Sequence, residues 1–309
     1  MAMNGKLAEL LRLTPTGTGS PDAASGDEVG TTRTFTATID PAFTIGPKVH
    51  GGTMQMVVAH AANVAFGSLA SGSGEAEIAG DTDVAADASQ PGAGQVPIAI
   101  ASDYLAAPDP GVVDLSVTLR KRGRTVSLVT VDLGQGGRTM VASSVTLGRL
   151  DSGPARHSVP SIVDGMPEEP PTEGIVVGDS SVSDVMHLAS TVDLVLDPDS
   201  FPVARGERGD PVVRGWCRPR HGEPTVDFAV LVCDVSPPVV MNLALFGWAP
   251  TVQLTTYVRR QPVPGWLRFA ASSVEVGAGM FEEDHLVVDA TGAVVAQSRQ
   301  LALIPQRDR

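Results

Sequence analysis

The chain has 309 residues, of which 42% are apolar and 18% charged, so it carries enough hydrophobic material for a sizeable core and is not disordered throughout. Lys and Arg number 22 against 35 Asp and Glu, a net charge of −13. That balance excludes a generic nucleic-acid or anionic-membrane binder, whose sequence-independent attraction comes from clustered Lys and Arg. Two cysteines, Cys217 and Cys233, are too few for a disulfide framework or a Cys-based metal site and read as free thiols of a reducing cytoplasm.

At the N-terminus, Leu7, Leu10, Leu11 and Leu13 fall at helical spacing around Glu9 and Arg12, a short amphipathic turn rather than the continuous apolar stretch of a signal peptide. No run approaches the roughly 18 apolar residues of a membrane span, so a soluble, cytoplasmic protein is expected. After the polar stretch 16–31, which closes an N-terminal extension over 1–31, the alternation of 32–38 predicts a half-buried strand. His50, Gly51 and Gly52 then open a segment in which Met54, Val57, Val58 and Ala61 share one apolar face, predicting a buried helix that starts at a glycine pair. Residues 68–96, rich in Gly, Ala, Ser and Asp, read as an inserted surface loop. Four β-rich runs follow, at 97–106, 112–120, 124–134 and 138–148, parted by Pro and Gly breakers.

The Pro- and Gly-rich tract 149–182 reads as a linker. Beyond it the order repeats: β-rich residues around 192–216, the apolar run 225–235 stopped by Pro237 and Pro238, then β-rich runs at 251–260, 265–276, 280–289 and 294–303. Pro108 and Pro262, Gly111 and Gly265, Gly123 and Gly277, Ala142 and Ala296, Ser144 and Ser298, and Leu147 and Leu301 are each 154 apart, while His50-Gly51 matches His221-Gly222 at 171. The difference is attributed to the insertion. The expectation is an α+β chain made of two copies of one unit, 32–148 and 183–309, each a long buried helix packed on an antiparallel sheet.

A helix wrapped by a curled antiparallel sheet, duplicated in tandem, resembles the double-hotdog fold. The segments DPAFTIGPKVHGG, SDYLAAP and RKRGRTVSLVTVDLGQGGRTMVASSVT in the first half, and VCDVSPP, PTVQLTTYVRRQP and FEEDHLVVDATGAVVAQSRQ in the second, are similar to acyl-CoA thioesterases of the thioesterase II type. The resemblance implies three catalytic groups: an Asp at the second-half helix, which falls on Asp234; a Thr opening the next strand, which falls on Thr251; and a Gln near the end of the last strand, which falls on Gln300. Gln253 stands where relatives often carry an acidic residue.

Thioester hydrolysis without a covalent intermediate needs a carboxylate to activate water, polar side chains to hold it and a donor for the oxyanion. Asp234, Thr251 and Gln300 fit the first two needs, and the helix-opening amides of Gly51 and Gly52 fit the third. A lone Asp is ordinarily just a polar residue at a helix end. Asp234, however, follows FAVLVC, where an unpaired carboxylate is costly, and its counterpart at 171 is Asn63. The counterparts of Thr251 and Gln300 at 154 are Pro97 and Thr146, so one competent site is expected. His50 reads as a turn residue and His60 as a core or surface histidine. The basic residues Arg120, Lys121, Arg122 and Arg124, with Arg259 and Arg260, are either solvated hairpin tips or contacts for the phosphates of coenzyme A.

No HExxH, paired-Cys spacing or GxSxG elbow is present, so neither a metal, a cofactor nor a serine α/β-hydrolase is expected. The expected partner is an acyl-CoA, hydrolysed to fatty acid and CoA; a homo-oligomer through sheet edges is compatible with the fold. The rivals are a non-catalytic acyl-CoA or acyl-lipid binding hotdog protein and a hotdog hydratase, the latter lacking its Asp/His pair because Asp40 and His50 lie too far apart.

Overall fold

The computed structural model describes residues 5–19, 29–70, 92 and 94–305; most of the expected insertion, over 71–91, lies outside them. In chain order the elements are α1 (Lys6–Leu10), β1 (Thr14–Gly19), β2 (Thr32–Ile39), β3 (Thr44–Ile45), β4 (Lys48–Val49), α2 (Gly51–Ala70), β5 (Val96–Tyr104), β6 (Gly111–Lys121), β7 (Ser127–Gln135) and β8 (Arg138–Gly148). They continue with β9 (Ile175–Val176), β10 (Val192–Leu196), β11 (Val212–Pro219), α3 (Val226–Val232), β12 (Thr251–Val258), β13 (Leu267–Ser272), β14 (Met280–Val288) and β15 (Val294–Leu303). Alternation builds the strands: along β6, Val113, Leu115, Val117 and Leu119 are buried while the residues between them face outward. One antiparallel sheet runs β1-β2-β6-β7-β8-β5-β12-β15-β14-β13-β11-β10-β9.

Its order mirrors about the β5–β12 pair. Ala101 stands opposite Thr255, the residue 154 further along, which is what a local two-fold axis between two copies requires. The offset then slips. Ser102 pairs with Ser143 and Thr256 with Ser298, and Ile100 pairs with Val145 where Leu254 pairs with Gln300, so β15 runs one residue ahead of the constant 154. The structural counterpart of Gln300 is therefore the buried Val145, not Thr146. A bulge lies between Pro97 and Ala99 in β5 and again between Thr251 and Gln253 in β12.

The two helices are unlike. α2 spans 20 residues and is buried almost all round rather than on one face, because β5 to β8 cover one side and α3 packs on the other. The expectation of a second long helix is corrected: α3 has seven residues. Thr225, just after Pro224, caps it through Phe228 N–H, and Pro237 and Pro238 cannot continue it and bias the preceding residue to extended backbone, so the sequence between the prolines holds only two turns. His221-Gly222 precedes that cap while Gly51 is itself the first residue of α2, so the offset of 171 does not hold at the helix starts, and Asn63 lies inside α2 while Asp234 lies past the end of α3. The tract 149–182 is packed in part: Val163 and Met166 sit on Trp216, Ala270 and Val288, and Trp216 Nε1 donates to Pro167 O at 2.9 Å.

Candidate active site

α3 ends at Val232 with Cys233 as its cap, and Ser298 Oγ donates to the Cys233 carbonyl at 2.7 Å, which ties the helix end to β15. The next residue, Asp234, is thereby aimed at the start of α2. Its Oδ2 accepts the Gly52 N–H at 2.6 Å and its Oδ1 accepts Gln300 Nε2 at 2.8 Å. Gln300 Nε2 also donates to Thr251 Oγ1 at 2.6 Å. Three residues far apart in the chain thus meet through one amide. The bulge at Val252 makes this geometry: without the extra residue, strict alternation from the buried Leu254 would turn Thr251 to the outer face.

Gly51 and Gly52 are needed for the close approach of α2 to this carboxylate. A Cβ on Gly51 would lie 2.7 Å from Asp234 Oδ2 and 3.5 Å from Thr251 Oγ1, and one on Gly52 would lie 2.8 Å from Asp234 Cβ and 2.9 Å from Leu231 O. The Gly52 amide is engaged by Asp234, which leaves the Gly51 N–H, the first of the helix and without an intrahelical partner by position, as the other amide of the glycine pair.

His50 does more than turn the chain. Its Nδ1 accepts the Thr53 N–H at 3.2 Å and so caps α2, which puts the ring proton on Nε2, 2.7 Å from Asp234 O and 3.5 Å from Asp234 Oδ2. Tyr104 donates to Gly51 O at 2.9 Å, and burial, then the charge of Asp234, push its hydroxyl well above the usual range. Gln55 plugs the seam between the two halves of the sheet, donating to Leu254 O at 2.9 Å and accepting from Thr256 Oγ1 at 2.6 Å. The sequence signal for these three was weak, since each contact joins distant segments. His60 bonds Asp227 at 2.8 Å and so links α2 to α3 away from the site.

The electrostatics of Asp234 are a contest. Burial raises its pKa, while the neighbouring His50, the Gly52 N–H and Gln300 pull it back. The positive end of α2 favours the carboxylate, and the end of α3 disfavours it. Gln253 lies on the outer face and donates to Asp103 Oδ1 at 2.6 Å, so the substitution there does not touch Asp234. Among the described residues no group of His, Cys, Asp and Glu is arranged to hold a metal ion, and no helix is long and apolar enough to cross a membrane.

The basic residues do not join this site. Arg122 lies over the Phe66 ring at 4.9 Å, near the far end of α2, a helix about 30 Å long. Arg120 and Lys121 end β6 on that side, with Arg124 in the following turn, and Arg259 and Arg260 follow β12 at the end remote from Thr251, about 26 Å away along the strand.

Comparison with known proteins agrees with this architecture. Residues 38–148 match the acyl-CoA thioesterase N-terminal domain and residues 163–304 the acyl-CoA thioesterase C-terminal domain. Uncharacterized proteins of Mycobacterium tuberculosis and Mycobacterium bovis are 38% identical over 287 residues, 88% of this chain and 91% of theirs. Among solved structures, a Thermobifida fusca protein named for thioesterase II superposes with a TM-score of 0.73 at 24% identity, over 99% of this chain and 100% of that one. A hotdog-fold protein of unknown function from Alicyclobacillus acidocaldarius gives 0.68 at 17% over 99% and 100%, and acyl-CoA thioesterase II TesB2 of Mycobacterium marinum 0.59 at 12% over 98% of each. These likenesses show the hotdog fold. With both of its halves matched by domains of one family, the chain belongs to the acyl-CoA thioesterase family.

Proposed function

We propose that this protein hydrolyses a fatty acyl-CoA to the free acid and CoA, using a water activated by Asp234, and that 32–148 and 183–309 are two copies of one hotdog unit sharing a single site. The observation that carries the reading is the Gln300 amide joining Asp234 Oδ1 to Thr251 Oγ1 at 2.8 and 2.6 Å, with the other carboxylate oxygen seated on the first turn of α2. In the reaction, Asp234 takes a proton from a water held against Thr251, and the hydroxide oxygen bonds to the thioester carbon. The carbonyl electrons move to oxygen, where the Gly51 N–H and the positive end of α2 receive the charge. The intermediate then expels the CoA thiolate, which recovers a proton to leave as the thiol.

The basic residues at the opposite end of the sheet are left out of the CoA contacts. A non-catalytic binder is not favoured, because Gln253, where the chain departs from the family pattern, faces away from Asp234. A panel of acyl-CoAs assayed for free-thiol release tests the proposal: release by the wild type, lost in Asp234→Ala, is expected, and full activity in that variant would overturn the mechanism.

A further inference from the structure

Three inward-facing positions distinguish the two halves of the sheet. By the register above, Glu283 stands where the first half has Val129, His285 where it has Val131 and Gln300 where it has Val145, and all three valines are completely buried. Glu283 and His285 are themselves 2% and 3% exposed. Glu283 Oε1 lies 3.2 Å from the Ser236 hydroxyl, its Oε2 accepts the Val239 N–H at 2.9 Å, and Ser236 Oγ lies 3.0 Å from His285 Nε2. These contacts do not have the order of a nucleophilic triad, because the carboxyl meets the hydroxyl and leaves His285 Nδ1 without a partner among the described residues. What Glu283 does hold is the turn Ser236–Val239, which begins two residues after Asp234.

We propose that Glu283 is a positioning residue for Asp234: as a neutral carboxyl it clamps the Ser236–Val239 turn and leaves the negative charge of the pocket on Asp234 alone. The inference rests on the reading of Asp234 as the water-activating group. Asp234 faces Glu283 from the turn after α3, His285 stands on the same strand, the neutral Gln300 lies opposite on β15, and His50 reaches the pocket from the head of α2. Glu282, Asp284 and Arg299 sit on the other face of the sheet, where Arg299 pairs with Asp284. Two carboxylates buried together do not both ionise cheaply. Asp234 has His50, Gly52 and Gln300 to favour its charge, whereas burial, and after it the charge of Asp234, push Glu283 up to about 8. Burial pushes His285 down to about 3, so it is a neutral ring. Ser236 Oγ donates to an ionised Glu283 at Oε1; a neutral Glu283 reverses that bond, donating to Ser236 Oγ, which then donates to His285 Nε2.

Denaturant midpoints of the wild type and Glu283→Gln test this without reference to turnover. His285 costs stability only below its unfolded value of 6.5, so between pH 6.5 and about 8 the proton that Glu283 keeps when folded and releases when unfolded should make the wild-type midpoint fall. Gln copies the neutral carboxyl, and its midpoint should be flat there; equal slopes in the two proteins would overturn the proposal. Should Glu283→Gln fail to fold, ¹³C-carboxyl titration of the wild type and Asp234→Asn decides: a Glu283 signal protonated at neutral pH, with its midpoint lowered in Asp234→Asn, supports the proposal, and a signal ionised at neutral pH or unmoved in Asp234→Asn overturns it. In the assay, Glu283→Gln should lose the wild-type decline of kcat as pH rises through about 8; a declining variant overturns the proposal. A wild type that hydrolyses no acyl-CoA would defeat the thioesterase reading and leave the titration to judge Glu283.

Discussion

Asp234 is expensive to bury and is held by three donors, an arrangement with consequences at the scale of one residue. Asp234→Asn keeps the shape and removes the base, so kcat should fall about 100-fold or more while the fold survives, as thiol release and circular dichroism would show. Because burial lifts Asp234 above 3.8, and a base works only when deprotonated, kcat should rise with pH through a midpoint above the ordinary carboxylate range. The same sign governs stability: a carboxyl whose folded value is raised destabilises the fold as pH climbs past its unfolded value. Gln300→Val installs the residue that the first half carries at this place, so the protein should fold and lose about 10- to 100-fold in kcat, the worth of a hydrogen bond to a charged group. A Gln300→Val enzyme with wild-type kcat would show that Gln300 does not orient Asp234.

The site is assembled by the ends of elements. α2 supplies its first turn, α3 the residue just past its cap, and β12 the side chain before its bulge. Gly52→Ala drives a methyl group into Asp234 Cβ and Leu231 O, both on the α3 segment, so it should cost about 1–3 kcal/mol by overpacking and depress kcat through the displaced carboxylate, checked by denaturation and assay on one sample. Trp216→Phe should cost about 1 kcal/mol by removing the bond to Pro167 O, with kcat untouched, since this contact lies on the outer face. The strands, the start of α2 and the stop at Pro237 were legible because alternation, a glycine pair and prolines are local signals. The bulge at Val252 and the shortness of α3 were not, since a bulge is set by pairing between strands and the length of α3 by how little chain the prolines leave.

At the scale of the molecule, two halves of similar topology close on one seam, and their inward-facing side chains differ. Ala101 opposite Thr255 marks the two-fold relation, while Glu283, His285 and Gln300 against three buried valines break it. With the basic residues about 26 Å down β12 from Thr251, Lys121→Ala combined with Arg259→Ala should leave KM for an acyl-CoA and its salt dependence unchanged; a weakened, less salt-sensitive KM would bring that end of the sheet into the binding path.

The sequence by itself determined the alternating strands and set similar segments about 154 residues apart, because periodicity is written along the chain, while Asp234, Thr251 and Gln300 were singled out by the resemblance to the thioesterase family. The tertiary structure alone decided that Gly52 binds Asp234 rather than standing free, that His50 caps α2 against it, and that the basic cluster stands apart. Those outcomes depend on which distant segments the β5–β12 seam and the turn after α3 bring within hydrogen-bonding distance, and no local property of the chain encodes that distance.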